Sequence, residues 1–472
     1  LTNPQFFYSS GVFFMTSNTK VAAAIAAVLA TGSAYAGQPT PGQAANPTVG
    51  LYVAGSSAAK NAILGAIETS PLICGGSYSL FSSTGNTNFF AVSCTPAAST
   101  GLPSANGSNV YTIWYRTEGG SVVGALPLVS GSQINQLSLA GASGSNGSYT
   151  VAVGGSSATN GIDDSFTGGV FKAPVQFGIT DVEPTALILD NYPKAYLKSV
   201  YGSATASQFN SKLSATTLFD QVFGVFVNTN SSAFNASETG GQGKAAGQPN
   251  TLNLPTESIT NILQGNSTNW NKVPDTSGNA VTTASLPITI VNREQGSGSR
   301  AATSIFFTQD ECNSVATSIK ESTGGTADYF STGNVLAAAN TIPGSITYAS
   351  VDNAGSSSYP NLTLVEVDSV YATNLNAAAG IYGDWFEATG VTGPNFNSLS
   401  GDQQTLIGDL IQDFQTESSA PGTVDILAIP ADSTNNASLP VSSTSSVNSG
   451  NTIYINPFSR SGVSCNTPLS FL

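Results

Sequence analysis

The 472-residue chain contains no histidine. Ser-His-Asp and Cys-His catalysis, histidine-ligated zinc or haem, and histidine pH switching are therefore excluded. Charge is scarce too: 8% of residues are charged, against about a quarter in ordinary globular proteins. Lysine and arginine number 13, aspartate and glutamate 27, for a net charge of -14. That balance carries no basic footprint for nucleic acid and does not suit an anionic membrane surface. In their place stand 49 glycines, 23 prolines and many Ser, Thr and Asn residues, which point to turns rather than a helical bundle. Apolar residues make up 40% of the chain and recur throughout, enough for a sizeable core and too many for disorder. The length suggests two or three domains.

Met15 is the sole methionine, so translation is expected to begin there, with Leu1–Phe14 upstream of the start. Lys20, an apolar run from Val21 to Ala30, and Ala34-Tyr35-Ala36 before Gly37 follow. One basic residue, a short apolar core and an A-x-A site make a secretory signal peptide cleaved after Ala36. The run is too short to span a bilayer. No cysteine follows the cleavage site, so a lipoprotein anchor is not indicated. The protein is expected to be periplasmic or secreted. Four cysteines agree with export and allow three pairings. Cys74 and Cys94 flank a hairpin-like segment and are expected to pair, which leaves Cys312 with Cys465.

Hydrophobic periodicity alternates between strand and helix. Thr48–Ala54, Val110–Arg116, Val175–Thr180, Gln221–Asn228, Pro287–Asn292 and Ser345–Ser350 read as strands. Ala58–Ile67, Thr256–Leu263, Arg300–Phe307, Val335–Asn340, Ile381–Ala388 and Asp402–Phe414 read as helices, with Ser56 or Ser57 capping the first. Val424–Ile429 and Thr452–Ile455 are further strand-like runs, and Thr229–Asn250 reads as a loop. The class is α/β, with no internal repeat.

The segment richest in chemistry is Ile288–Phe307. A strand runs into Arg293-Glu294-Gln295-Gly296-Ser297-Gly298-Ser299 before a helix. Such a turn supplies converging backbone N–H groups, two hydroxyls, a helix N-terminus and a guanidinium, the parts that hold a small oxyanion. It is neither a Walker loop nor a dinucleotide fingerprint. The construction recurs at Gly55-Ser56-Ser57 and Gly119-Gly120-Ser121, and Asp181 ends a third strand. Ligands of open α/β sheets bind at the carboxyl ends of strands, where these turns could converge. Singly, each has an ordinary structural explanation: Asp181 as a turn cap, Arg293 as an ion-pair partner.

In this order along the chain, these motifs resemble the periplasmic phosphate-binding proteins of bacterial ABC phosphate importers. Gly55-Ser56-Ser57-Ala58 is similar to the family's first phosphate loop and Gly119-Gly120-Ser121 to its second. Phe177-Gly178-Ile179-Thr180-Asp181 resembles the strand that ends in the ligand aspartate. Leu254–Trp270 is similar to the opening of the second lobe, and Arg293–Ser299 to the arginine plus Ser-Gly-Thr loop. Gly333-Asn334 and Pro343–Tyr348 resemble the return stretch. The matches run from about residue 48 to 352. The resemblance implies a two-lobed α/β periplasmic binding protein fold, with a central mixed sheet in each lobe and the ligand cleft between them. The expected division is residues 37–228 for the first part of lobe 1, with an insertion at about 124–172. Residues 229–352 would form lobe 2, and 353–472 the rest of lobe 1 and a tail.

The resemblance also implies roles. Ser56, Ser57, Ser121, Ser297 and Ser299 would present hydroxyls, and Ala58 and Gly298 backbone N–H groups. Arg293 would supply charge, and Asp181 would accept the proton of HPO₄²⁻. Two positions depart from the family. Gln295 stands where an aspartate usually pairs with the arginine, and Ser299 replaces threonine. The second loop can also be aligned with Gly120 in place of Ser121. The expected function is capture of inorganic phosphate or a similar oxyanion for an ABC permease, with no cofactor, no metal and no catalysis. The competing reading is a surface or filament component that self-assembles on a binding-protein fold. A phosphatase-like hydrolase is the weakest reading, since no nucleophile has an identifiable base.

Overall fold

The computed structural model describes residues 38–70, 72–75, 77–96, 100–102, 108–154, 166, 168–187, 204–234, 252–312, 319–415, 427–428, 445–448 and 451–470. The expected signal peptide and its cleavage position lie outside these residues, as do most of the 229–250 loop and of the 424–429 strand.

The first half of the chain contains β1 (Val49–Gly55), α1 (Lys60–Thr69), β2 (Tyr78–Gly85), β3 (Phe89–Cys94), β4 (Tyr111–Arg116) and α2 (Ser121–Ser130). It continues through β5 (Gln133–Leu137), β6 (Ser143–Ser145), β7 (Ser148–Val153), β8 (Val170–Pro174), β9 (Phe177–Thr180), α3 (Ala206–Lys212) and β10 (Ser214–Asn228). The second half carries β11 (Asn253–Leu254), α4 (Thr256–Leu263), β12 (Thr289–Ile290), α5 (Gly298–Thr303), α6 (Thr332–Thr341) and β13 (Ser345–Ser350). After these come β14 (Leu362–Leu364), β15 (Glu366–Val367), β16 (Val370–Tyr371), α7 (Asn374–Ala378), β17 (Trp385–Thr392) and α8 (Gly401–Gln415).

At the centre of the first sheet, β4, β1 and β9 run parallel. β17 joins β9 and β10 joins β17, both antiparallel. On the far side β3, β2, β7 and β6 extend the sheet. β10 is fifteen residues long and serves two sheets. Its Ser214–Val222 half pairs with β17, while Phe223–Asn228 pairs with β13 and β14, and β12 lies parallel to β13. Two separate cores follow from this hand-over. Leu51, Val53, Ile113 and Ile179 pack with Ile63 and Ile67 of α1 and Leu406 and Leu410 of α8. Phe226, Ile290 and Tyr348 pack with Ile259 and Ile262 of α4, Trp270 and Leu336. The protein is a mixed α/β chain with a sheet in each of two lobes.

Several sequence expectations meet differences. Ile381–Ala388 is not a helix: Trp385–Thr392 is β17, sandwiched between β9 and β10. Burial on both faces removes the period-two alternation that marks a half-buried strand, so periodicity does not tell this segment from a short helix. The helix after β1 starts at Lys60 with Ala59 as its N-cap, so neither Ser56 nor Ser57 is the cap residue, though Ser56 Oγ accepts the Ala59 N–H at 2.8 Å. The stretch read as an insertion from residue 124 opens inside α2, which is buried from Ser121 to Val129. At Gly124 a Cβ would stand 2.8 Å from Ala54 O and 2.9 Å from Ile179 N, so α2 lies directly on β1 and β9. Leu364, Val367, Ala377 and Tyr382 pack into the second core, and the chain rejoins the first sheet only with β17. The two disulfides are Cys74–Cys94 and Cys312–Cys465, as expected from spacing and elimination.

Candidate anion-binding site

Because β4, β1 and β9 are adjacent and parallel, their carboxyl ends open on one edge of the first sheet. Three of the sequence motifs are delivered there: Ser56-Ser57-Ala58 after β1, Gly119-Gly120-Ser121 after β4, and Asp181 after β9. The second lobe brings the Arg293–Ser299 turn, between β12 and α5, against the same edge. Ala58 and Val182 of the first lobe, Phe223 and Phe386 of the crossing strands, and Ala301, Ala302 and Ile305 of the second share one apolar cluster beneath it.

The lobes meet closely. Gly119 N–H donates to Phe330 O at 3.1 Å, and Val122 N–H to Gly296 O at 3.0 Å. Thr332 N–H donates to Ser57 Oγ at 3.0 Å, and the two hydroxyls of that pair are also 3.0 Å apart. A Cβ on Gly298 would stand 2.3 Å from Ser121 Oγ and 2.7 Å from Asp181 Oδ2, so only glycine permits this approach. At Gly120 a φ of 68° combines with a would-be Cβ 3.2 Å from Arg293 Nη2. Such a conformation is routine only for glycine.

Every one of the nine expected site residues is buried here, and most are in mutual contact. Asp181 is 1% exposed. Its carboxylate accepts from Ser56 Oγ and, at 3.3 Å, from Ser299 Oγ, while its N–H donates to Ser121 Oγ at 3.0 Å. Burial pushes the Asp181 carboxyl above its ordinary range; Ser56, the Arg293 charge, Ser121 and Ser299 pull it back. Arg293 is also 1% exposed. It donates from Nε to Tyr329 O (3.2 Å), Nη1 to Thr332 Oγ1 (2.8 Å) and Nη2 to Phe330 O (3.4 Å). Burial pulls its guanidinium down to about 10, opposed by Asp181 and then Tyr348. Among the described residues no carboxylate lies within ion-pair distance of Arg293. The neighbouring acids Asp328 and Glu321 are held instead by Arg300, which also donates to Arg293 O at 2.8 Å. A buried cation held by neutral oxygens retains a charge that an anion can meet.

Ser297 has a local duty as well: it is the N-cap of α5 and its Oγ accepts from Arg300 N–H at 3.3 Å. Its own proton stays available for donation. Ala58 and Gly298 present backbone rather than side chains at the two facing turns. Thr332 escaped the sequence reading, although its hydroxyl links Arg293 to Ser57. A signal was present: Ser331 caps α6 through Asn334 N–H, so Thr332 opens a helix just ahead of the quoted Gly333-Asn334 pair.

Residues 226–392 match the sequence profile of a PBP superfamily domain. No curated protein sequence matches the chain. Among solved structures, a Clostridium perfringens protein with bound phosphate aligns with 15% identity over 78% of this chain and 96% of that one, with a TM-score of 0.41. An ABC-type phosphate transport receptor from Vibrio cholerae aligns with 12% identity over 78% and 95%, at a TM-score of 0.39. A phosphate-binding protein from Stenotrophomonas maltophilia aligns with 12% identity over 90% and 91%, also at 0.39. The similarity to the PBP superfamily domain spans residues 226–392, the second lobe and the strand that returns from it.

Proposed function

We propose that the interlobe cleft holds one tetrahedral oxyanion, inorganic phosphate as HPO₄²⁻, and that the exported protein delivers it to an ABC permease without catalysing a reaction. The observation that carries this reading is the pairing of opposite tasks in one dehydrated site. Arg293, with no ion pair among the described residues, supplies a positive charge beside hydroxyls from both lobes. Asp181 faces the same space as an acceptor. An anion that is both negative and protonated satisfies the two together. Sulfate, fully deprotonated, would leave the carboxylate opposite another acceptor, a repulsive contact without a proton. The net charge of -14 does not oppose this, because local dipoles and hydrogen bonds can hold an anion on an acidic protein. No helix among the described residues is long and apolar enough to cross a membrane.

One observation favours a second reading. Ser57 and Thr332 bond each other, and Ser56 and Ser299 bond Asp181, so the lobes are held closed by their own polar groups. A surface component that needs only rigid lobes would look the same. The experiment is a thermal-shift and calorimetric panel of phosphate, sulfate, arsenate, molybdate and a phosphonate on protein beginning at Gly37. Phosphate binding with rejection of sulfate supports the receptor. No response to any oxyanion removes it and leaves the surface component.

A further inference from the structure

The C-terminal segment from Asn456 to Asn466 lies outside the cleft and touches a core only through Phe458, yet it is densely bonded. Asn456 Nδ2 donates to Asp220 Oδ2 at 2.7 Å, on the first-lobe half of β10. Glu387 lies opposite Asp220 in β17. Its Oε1 accepts from Ser459 Oγ (2.5 Å) and Arg460 N–H (2.9 Å), and its Oε2 from Gly462 N–H (2.7 Å). Ser461 and Gly462 adopt left-handed φ values of 57° and 70°, which turn these N–H groups inward around the carboxylate. The Arg460 guanidinium donates to Gly383 O, Trp385 O, Ser464 O and Asn466 O and stacks over Phe386 at 4.5 Å.

The next two residues hold opposite lobes. Ser464 N–H donates to Glu183 Oε2 at 2.8 Å, and its Oγ donates to the same oxygen. Glu183 lies two residues beyond Asp181, at the carboxyl end of β9. Cys465 is bonded to Cys312, which follows α5, the helix that carries Ser299. Phe458 lies against Gly380, beside the second core. One short segment is thus fastened to the first lobe by three carboxylates, Asp220, Glu387 and Glu183, and to the second by a covalent bond.

We infer that Asn456–Asn466 is an interlobe strap that limits how far the two lobes separate, because Ser464 grips Glu183 of the first lobe while the adjacent Cys465 is covalently joined to Cys312 of the second. The strands β10 and β17 alone would leave the lobes free to rock about their crossing; a third, independent tie restricts that motion. The inference stands whatever the cleft binds.

The test is hydrogen exchange on ligand-free protein, so it does not depend on phosphate. The reporters are the interlobe donors Gly119, Val122 and Thr332, with Leu51 and Ile113 of the first sheet as internal references. Cys312→Ser with Cys465→Ser should raise exchange at the three interlobe amides by about tenfold or more and leave the references unchanged. That is the size expected for losing a tie comparable to one charge-assisted hydrogen bond. Glu183→Ala with Ser464→Ala, which keeps the disulfide, should do the same and serves if the cysteine variant folds poorly. Cys74→Ser with Cys94→Ser, a bond within the first lobe, should not raise the three selectively. Wild-type exchange at the interlobe amides in both strap variants overturns the inference. So does an equal rise at the references, which would mark simple loss of stability.

Discussion

Replacing Arg293 by alanine is the most direct way to separate an anion site from a rigid interlobe contact. The side chain is 1% exposed and its three described hydrogen bonds go to neutral oxygens at 2.8–3.4 Å. Alanine would leave a bound dianion facing Asp181 with no positive charge beside it. Truncating one partner of a buried charge pair costs about 2–5 kcal/mol, or roughly 30- to 5,000-fold in affinity. It also removes one donor each from the Tyr329 and Phe330 carbonyls, which keep the Glu294 and Gly119 N–H groups, so the loss of stability is that of ordinary hydrogen bonds, about 0.5–1.5 kcal/mol each. The two effects are separable by calorimetry with inorganic phosphate far below the melting temperature, alongside a thermal melt of each protein. Arg293→Lys keeps the charge but loses the planar fork, and should retain measurable binding at about tenfold weaker affinity. Lysine outperforming alanine in binding while melting no higher would identify charge as the operative property. Wild-type phosphate affinity in Arg293→Ala would refute the assignment, whatever the melt shows.

Asp181→Asn should lose discrimination chiefly by gaining sulfate, since an amide can donate to an unprotonated oxygen where a carboxylate cannot; competition of sulfate against labelled phosphate reads this out, and equal sulfate affinity in both proteins would remove Asp181 from selectivity. Gly298→Ala should fold but fail to close, because its Cβ would meet Ser121 Oγ at 2.3 Å and Asp181 Cβ at 2.6 Å; the expected result is an increased radius of gyration by X-ray scattering, and an unchanged one would contradict the closed geometry. Asp384 is 1% exposed and, among the described residues, neither of its oxygens has a hydrogen-bond partner. Burial pushes its carboxyl up to about 8, with Arg460 opposing. The folded state therefore holds this proton more tightly than the unfolded chain, so the group's favourable contribution is full near pH 4 and is lost as pH rises through 8. Asp384→Asn should melt like wild type near pH 4 and become increasingly more stable towards pH 8, by a few kcal/mol in order of magnitude; a difference independent of pH would refute this.

The turns that the structure gathers at one sheet edge were legible because their local requirements are written in adjacent positions. A small-residue turn after an apolar strand, as at Gly55-Ser56-Ser57 or Ser297-Gly298-Ser299, announces itself through chain stereochemistry alone. The absence of histidine, the scarcity of charge and the even cysteine count needed no fold at all. What the sequence could not determine depends on separation in space. Trp385–Thr392 is a strand because β9 and β10 pair with both its edges, and no run of eight residues records its neighbours. Thr332 enters the site because α6 starts where Ser57 and Arg293 meet, a coincidence across 275 and 39 positions of chain. The tie between Glu183 and Ser464 likewise spans 281 positions. Local sequence sets which backbone shapes are cheap; burial and hydrogen bonding between distant segments decide which of them touch.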